Sequence, residues 1–139
     1  MGLEISRCVS EAVHAEAAAS LQLEVCGLLF GTPDLVTAYA SCRNVAANPA
    51  VAFEIDPAAL IAAYRAARNG GPAIVGCYHS HPLGPPTPSV RDAAAAEPNG
   101  WLWLIIGSGS ALCWRAVADG AHHGRFDAVP FELYPDGPR

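Results

Sequence analysis

Residues 73–92 read Ala-Ile-Val-Gly-Cys-Tyr-His-Ser-His-Pro-Leu-Gly-Pro-Pro-Thr-Pro-Ser-Val-Arg-Asp and join an apolar run to a proline-rich loop and a second polar cluster. The apolar start predicts a buried strand, on which side chains two positions apart point to the same side. His79 and His81 are therefore expected to face a common point. The alanine-rich run after Ser89 predicts a helix, on which Ser89 and Asp92 share a face because they lie three residues apart.

Two imidazoles and one carboxylate form a ligand set for a divalent metal, and zinc suits this set best. Three protein ligands leave a fourth position for water, as at catalytic zinc sites. Taken alone, a His-x-His pair is more often a surface or structural pair, and an Asp in a first helical turn usually serves the helix dipole. Both features around one short loop are far less common, so His79, His81 and Asp92 are predicted to bind zinc.

The whole pattern resembles the JAMM motif of the JAB1/MPN/Mov34 metalloenzymes. Seven residues separate His81 from Ser89 and two separate Ser89 from Asp92, which is the spacing of that motif. The stretch Glu-Val-Cys-Gly-Leu-Leu-Phe-Gly at 24–31 resembles the family's upstream Glu-x-Cys-Gly-Leu-Leu-x-Gly strand. Phe-Glu-Ile-Asp-Pro at 53–57 is similar to a segment of its compact bacterial members. The resemblance covers most of the chain.

The resemblance implies a mechanism as well as a ligand set. Zinc on the two histidines and Asp92 would lower the pKa of its water toward about 7. Glu24 is implied as the general base that takes the proton and later donates one to the leaving amine. Ser89 is implied as a hydrogen-bond donor to the oxyanion. Without the resemblance, a solvent-facing strand start is an alternative explanation of Glu24, because a buried carboxylate needs a partner.

The implied reaction is hydrolysis of a peptide or isopeptide bond after the C-terminus of a ubiquitin-like protein. Compact bacterial members resemble enzymes that trim small sulfur-carrier proteins of the ubiquitin fold, and a chain of 139 residues has no room for the large insertions of deubiquitylases. The expected partner is a small ubiquitin-like or sulfur-carrier protein that ends in Gly-Gly. The alternatives are a ubiquitin-like isopeptidase of other specificity and a non-catalytic MPN scaffold, although such scaffolds typically lack the metal ligands.

The order of the predicted elements indicates an α/β protein with a mixed sheet flanked by helices. The length indicates a single domain that spans residues 1–139. The resemblance implies a curved sheet of the cytidine-deaminase-like type, but zinc deaminases need a Pro-Cys-x-x-Cys element that this chain lacks. The predicted strands are 3–5, 24–30, 35–42, 73–79, 101–106, 112–117 and 126–133; the helices run from Ser10 to about Leu21, over 57–68 and over 89–97, and the tail 134–139 is frayed.

Charge and hydropathy exclude several classes of function. The net charge is −5, with eight Arg and no Lys, and no basic cluster is present, so nucleic-acid binding is disfavoured. No apolar run approaches the length of about 18 residues that a membrane span needs. The start of the chain has no basic region followed by an apolar one, so no secretory signal is expected. The oligomeric state stays open.

The five cysteines are scattered, odd in number and mostly embedded in apolar runs. This distribution predicts reduced thiols in a cytoplasmic protein and no disulfide framework. Cys26, two residues after Glu24, is predicted to pack in the core and not to act as a nucleophile. The abundance of Ala and Arg together with the absence of Lys is typical of a GC-rich bacterial genome. The cysteines are Cys8, Cys26, Cys42, Cys77 and Cys113.

Overall fold

The computed structural model of the chain describes residues 2–136, in which eight strands form one sheet and three helices accompany it. The strands are β1 (Leu3–Ser6), β2 (Cys26–Thr32), β3 (Leu35–Cys42), β4 (Ile74–His81), β5 (Leu102–Gly107), β6 (Ser110–Gly120), β7 (Gly124–Val129) and β8 (Phe131–Tyr134). The helices are α1 (Arg7–Ala18), α2 (Pro57–Arg68) and α3 (Val90–Ala95).

The sheet is mixed, and its strand order is β7-β6-β5-β4-β2-β3-β1-β8. β4 lies in the middle, antiparallel to β2 and parallel to β5. β1 runs parallel to both of its neighbours, β3 and β8. The other pairs are antiparallel. The predicted α/β class with a mixed sheet flanked by helices is confirmed.

Alternation along β4 and β5 sorts their side chains between two apolar clusters. Tyr78 and its partner Leu104 lie in the cluster on the face that α1 covers. Cys77 and its partner Trp103 belong to the second cluster. Because His79 lies two residues after Cys77, it points to the second face as well. The candidate site therefore lies on the face of the sheet opposite α1.

Helix α2 begins and ends where the sequence predicts. The Asp56 side chain accepts a hydrogen bond from the Ala58 N–H, and Pro57 occupies the first helical position, where its missing N–H costs nothing. Arg65 and Arg68 lie in the last turn, where cations interact favourably with the helix dipole. All of these signals are local in sequence, which explains why the prediction of this helix succeeded.

The start of α1 differs from the prediction. Ser6 and not Ser10 caps the helix: the Ser6 hydroxyl accepts a hydrogen bond from the Val9 N–H at 3.3 Å. Ser10 lies inside the helix and is buried. Both serines are good capping residues by type, and the pairing of Ser6 in β1 decides between them. The helix also ends at Ala18, three residues before the predicted end.

The strand predicted over 126–133 is two strands on opposite edges of the sheet. Pro130 separates them, because a residue without an N–H cannot continue the hydrogen-bond ladder. The frayed tail predicted for 134–139 is also corrected. Tyr134 pairs with Ser6, and the Asp136 carboxylate accepts hydrogen bonds from the Ser6 hydroxyl at 2.5 Å and the Cys8 N–H at 3.0 Å. Residues 137–139 lie outside the described residues.

Three smaller differences concern the elements that carry the site. β2 begins at Cys26, so Glu24 precedes the strand and is not its first residue. β4 continues through His81 and carries both histidines, whereas α3 is six residues long and ends at Ala95.

Within residues 2–136 no helix is both long and apolar enough to cross a membrane.

Candidate metal centre and active site

The two histidines of β4 point to one spot at the end of the central strand. His79 is fully buried and His81 is half-buried. Their Nε2 atoms lie 3.1 Å apart. Strand alternation places both rings on the same face, as the sequence predicts.

Helix α3 brings a carboxylate to the same spot. Asp92 Oδ2 lies 3.2 Å from the Nε2 atom of each histidine. A capping box fixes this carboxylate: the Ser89 N–H donates to Asp92 Oδ2 at 2.9 Å, and the Asp92 N–H donates to the Ser89 hydroxyl oxygen at 3.0 Å. The structure thus brings together all three side chains predicted as metal ligands.

The geometry of these three atoms fits a tetrahedral metal ion. His81 Nδ1 lies 2.9 Å from the carbonyl oxygen of Pro85, which can only accept, so Nδ1 carries the hydrogen and Nε2 of neutral His81 presents its lone pair. Lone pairs of nitrogen and carboxylate oxygen then converge with mutual distances of 3.1–3.2 Å. Ligand atoms about 2.0–2.1 Å from a tetrahedral zinc ion lie about 3.3 Å apart. The donor set and its spacing therefore fit zinc.

The protonation states of His79 and Asp92 favour cation binding, whereas at His81 a cation has to compete with a proton. Burial lowers the pKa of His79, and this outweighs the opposite effect of Asp92, so the ring is neutral at physiological pH. Burial alone would raise the pKa of Asp92, but its close contacts with the His79 and His81 rings outweigh burial and hold the pKa well below its usual range. Burial alone would lower the pKa of His81, whereas the hydrogen bonds to Asp92 and Pro85 raise it.

Glu24 lies beside the two histidines as a buried carboxylate, one oxygen of which has no hydrogen-bond partner among residues 2–136. One of its oxygens and one nitrogen from each ring all lie within 4.8 Å of one another. Its side chain is only slightly exposed, and Oε1 has no hydrogen-bond partner among the described residues. Desolvation by burial raises the pKa of Glu24 to about 7, although the charge of His81 acts in the opposite direction. A carboxyl group with such a pKa can exchange a proton near neutral pH.

A cleft of about 360 Å³ opens over this group. Glu24, His81 and Ser89 line it, together with the apolar side chains of Val51 and Leu83. Leu83 is 97% exposed, so it offers apolar surface that a ligand in the cleft can bury. The predicted general base and oxyanion donor thus share one cleft with a predicted metal ligand.

The proline-rich wall of this cleft is held by contacts that the sequence analysis missed. The indole N–H of Trp114 donates to the Pro86 carbonyl oxygen at 3.1 Å, and the Ser108 hydroxyl donates to the Gly84 carbonyl oxygen at 3.1 Å. A Cβ on Gly107 would lie 2.4 Å from the same Gly84 oxygen, so only glycine allows this approach. These partners are distant in sequence, and no local pattern announces them.

Phe53 is a second residue whose role the sequence does not reveal. Its ring stacks on His79 with centroids 4.2 Å apart and planes inclined by 20°, while Trp103 meets His79 edge-on at 5.7 Å. His79 Nδ1 is buried without a hydrogen-bond partner among the described residues. Aromatic contacts, and not the usual second hydrogen bond of a metal-ligating histidine, therefore orient this ring.

Other candidate groups have structural roles. The Cys26 thiol is buried and donates to the Cys42 carbonyl oxygen at 3.7 Å. Burial raises the pKa of Cys26 to about 12, so it is a packing residue and no nucleophile. His122 and His123 lie at the turn between β6 and β7, and His122 packs on Trp114 with ring centroids 4.9 Å apart. Within residues 2–136 no third ligand joins them.

Comparison with known proteins gives concordant matches. The family model of prokaryotic homologs of the JAB domain matches residues 7–117. The desampylase of Haloferax volcanii is 43% identical over 91 residues, which are 64% of this chain and 66% of that protein. A Thermus thermophilus protein named for cleaving TtuB–protein conjugates is 43% identical over 54 residues, which are 39% of this chain and 36% of that protein. The chain therefore spans less than two thirds of these curated relatives.

A solved structure extends the likeness to the whole fold. The JAB1/MPN domain protein of Archaeoglobus fulgidus superposes with a TM-score of 0.61. The alignment covers 96% of this chain and 98% of that chain, at 19% sequence identity. At this identity the likeness concerns the fold alone.

Proposed function

The chain belongs to the family of prokaryotic homologs of the JAB domain, and from this premise we propose that it is a zinc-dependent hydrolase of peptide or isopeptide bonds. One observation carries the proposal: His79 Nε2, His81 Nε2 and Asp92 Oδ2 converge within 3.2 Å of one another beside Glu24, whose Oε1 has no hydrogen-bond partner among the described residues. A binding module or scaffold would have no use for three converging ligands next to a buried base.

His79, His81 and Asp92 would hold the zinc ion. When bound, zinc supplies Lewis acidity, which makes water a better nucleophile at neutral pH and polarises a carbonyl group. The neutral ring of His79, the tautomer of His81 and the ionised Asp92 present the electron pairs that such an ion needs. The loop carbonyl of Pro85 and the capping box keep the ligands in place when no ion is bound.

Glu24 and Ser89 perform the proton transfer and the charge stabilisation. The free carboxylate of Glu24 accepts the proton of the attacking water and later delivers a proton to the leaving amine. The Ser89 oxygen already accepts the Asp92 N–H, which leaves its own O–H to donate to the oxyanion of the tetrahedral intermediate. Both groups face the cleft in which the scissile bond would lie.

The proposed substrate is a small ubiquitin-like or sulfur-carrier protein, cut after its C-terminal Gly-Gly. The relatives named for desampylation and for cleavage of TtuB–protein conjugates support this choice. The cleft supports it as well, since a tail without side chains can approach the polar groups that line the cleft closely, and Val51 and Leu83 offer apolar contacts. All five cysteines are free thiols, which fits a protein of the reducing cytoplasm.

A conjugate in which a Gly-Gly tail is joined to a lysine of a second protein tests the proposal. The zinc-loaded chain is expected to release both proteins intact, as read by mass spectrometry, and to cut linked ubiquitin chains poorly. Glu24→Gln should keep zinc and lose about 10²–10⁴-fold in turnover, because the base is gone. Glu97→Gln, at an exposed carboxylate beyond α3, is the matched control and should retain the parent rate.

Two outcomes would contradict the proposal. A zinc-loaded parent chain that releases nothing from the conjugate, or from a linear Gly-Gly extension, would remove the hydrolase assignment. Efficient cleavage of ubiquitin chains without action on the small carrier would overturn the substrate choice and leave the metal chemistry in place.

A further inference from the structure

The loop between β3 and α2 contains an asparagine whose side chain is fully occupied by backbone partners. Asn44 Nδ2 donates to the carbonyl oxygens of Glu24 at 2.9 Å and Ala52 at 3.0 Å. Asn44 Oδ1 accepts from the N–H groups of Ala46 at 3.0 Å and Glu54 at 3.1 Å. One half-buried amide thus ties the backbone of the proposed general base to three points of the loop.

Glu24 depends on this loop because it precedes the sheet ladder. β2 begins at Cys26, so the backbone of Glu24 is held from outside the strand. Its N–H donates to the Pro49 carbonyl oxygen at 2.8 Å, and the next N–H, of Val25, donates to the Ser80 hydroxyl oxygen at 2.9 Å. The Glu24 carbonyl is bound by Asn44. Since Oε1 has no hydrogen-bond partner among the described residues, these main-chain bonds are the polar contacts that fix the backbone from which the carboxylate projects.

The same loop forms one wall of the cleft. Ala50 and Val51 line the cleft next to Glu24, and the loop segment that carries them is closed by the contacts of Asn44 with residues on both sides of it. The wall that touches the substrate and the base that acts on it therefore share one anchor. A shift of about 1 Å in such a base lowers turnover by about 10²-fold.

We propose that Asn44 is a positioning residue. Its side-chain hydrogen bonds hold Glu24 at the correct distance from His79 and His81, and they tie Glu24 to the loop segment that lines the cleft. The inference rests on the proposed function, because it assigns a partner to the general base of that reaction. No other common side chain of this size can replace it. Asp lacks the two donors, and Ser has one hydroxyl in place of the two donors and the acceptor that are used here.

Two substitutions separate the donor bonds from the whole anchor. Asn44→Asp keeps the acceptor for Ala46 and Glu54 but loses both donated bonds, whereas Asn44→Ala loses all four. Both zinc-loaded variants are expected to lose about 10- to 100-fold in kcat on the Gly-Gly conjugate while retaining the zinc content of the parent. Asn48→Ala, in the same loop at an exposed side chain that makes no hydrogen bond in the described structure, is the control and should match the parent.

A double-mutant cycle with Glu24→Gln distinguishes positioning from general structural support. If Asn44 acts through Glu24, adding Asn44→Asp to the Glu24→Gln chain should lower the residual kcat by less than about 2-fold. A merely structural role would give the full loss in both backgrounds. In the metal-free chain, the backbone amide resonances of Glu24 and Val25 should shift in Asn44→Asp and stay in place in Asn48→Ala.

The outcomes separate this inference from the proposed function. A parent chain that hydrolyses no conjugate contradicts the proposed function. An active parent together with an equally active Asn44→Asp variant contradicts the positioning role alone. Loss of zinc in Asn44→Asp, or equal losses with and without Glu24, would also overturn it, because the amide would then support the metal centre or the fold and not the base.

Discussion

The two halves of the candidate metal centre are held by different kinds of interaction. β4 supplies its histidines from the middle of the sheet, where β2 and β5 pair on either side and Phe53 and Trp103 enclose His79. Asp92 comes from a six-residue helix whose start depends on one capping box. The sheet half is therefore fixed by the tertiary core, and the helix half by a few local hydrogen bonds. This difference predicts distinct consequences for substitutions in the two halves.

The largest effect is expected in the sheet half. His79→Ala should reduce zinc from about one ion per chain to none and abolish hydrolysis, because one of three ligands is gone. It should also lower the free energy of unfolding of the metal-free chain by about 1–3 kcal/mol, since the cavity beside Phe53 and Trp103 outweighs the relief of an unpartnered nitrogen. Metal analysis and thermal unfolding measure both effects, and full zinc occupancy would refute the ligand assignment.

The helix half should lose metal at a smaller cost to the fold. Asp92→Asn replaces the carboxylate by an amide, which is a weaker metal ligand. Zinc affinity should therefore fall by roughly 100-fold or more. The unfolding free energy of the metal-free chain should change by no more than about 1 kcal/mol, because the effect stays within a short helix. Equal destabilisation by Asp92→Asn and His79→Ala would break the contrast between the two halves.

Ser89 sharpens the comparison because it serves both the helix and the reaction. Ser89→Ala should retain zinc, reduce kcat by about 10²–10³-fold through the lost oxyanion donor, and cost about 1 kcal/mol of stability through the lost cap. Ser89→Thr keeps a hydroxyl and should recover most of both losses. Conjugate cleavage by Ser89→Ala at the parent rate would leave the hydroxyl with its capping role alone.

The smallest effect is expected from the aromatic support of the sheet half. Phe53→Leu preserves apolar volume but removes the stacked ring, so zinc affinity should fall by about 10-fold while the ligand set stays complete. Competition with a chromogenic chelator measures the change, and Phe126→Leu, in the same cluster but without contact to His79 in the described structure, is the control. Equal affinity in the two variants would show that stacking does not orient the ligand.

The same contrast explains which parts of the structure were predictable from sequence. Local signals predicted α2, with its Asp56 cap and Pro57 start, and the spacing around the proline-rich loop brought His79, His81 and Asp92 together as expected. Their role as zinc ligands stays a prediction. Such features were accessible because each depends on residues close in the chain.

Contacts between distant residues were not accessible in this way. Ser6 caps α1 because β1 pairs up to that residue, and β8 lies at the edge of the sheet because it pairs with β1, which is distant in sequence. The bond from Asn44 to Glu24 joins residues 20 positions apart with no periodic pattern to reveal it. Sequence periodicity describes the face of an element but not its partner across the fold.

The parallel pair of β1 and β8 affects how the molecule is made. Asp136 binds Ser6 and Cys8 across 130 and 128 positions of the chain, so the start of α1 is completed by residues that are synthesised much later than the helix itself. During translation β4 and α3 are synthesised well before β8. The predicted ligands can therefore meet while β1 still has an unpaired edge, and that edge closes only after β8 has been synthesised.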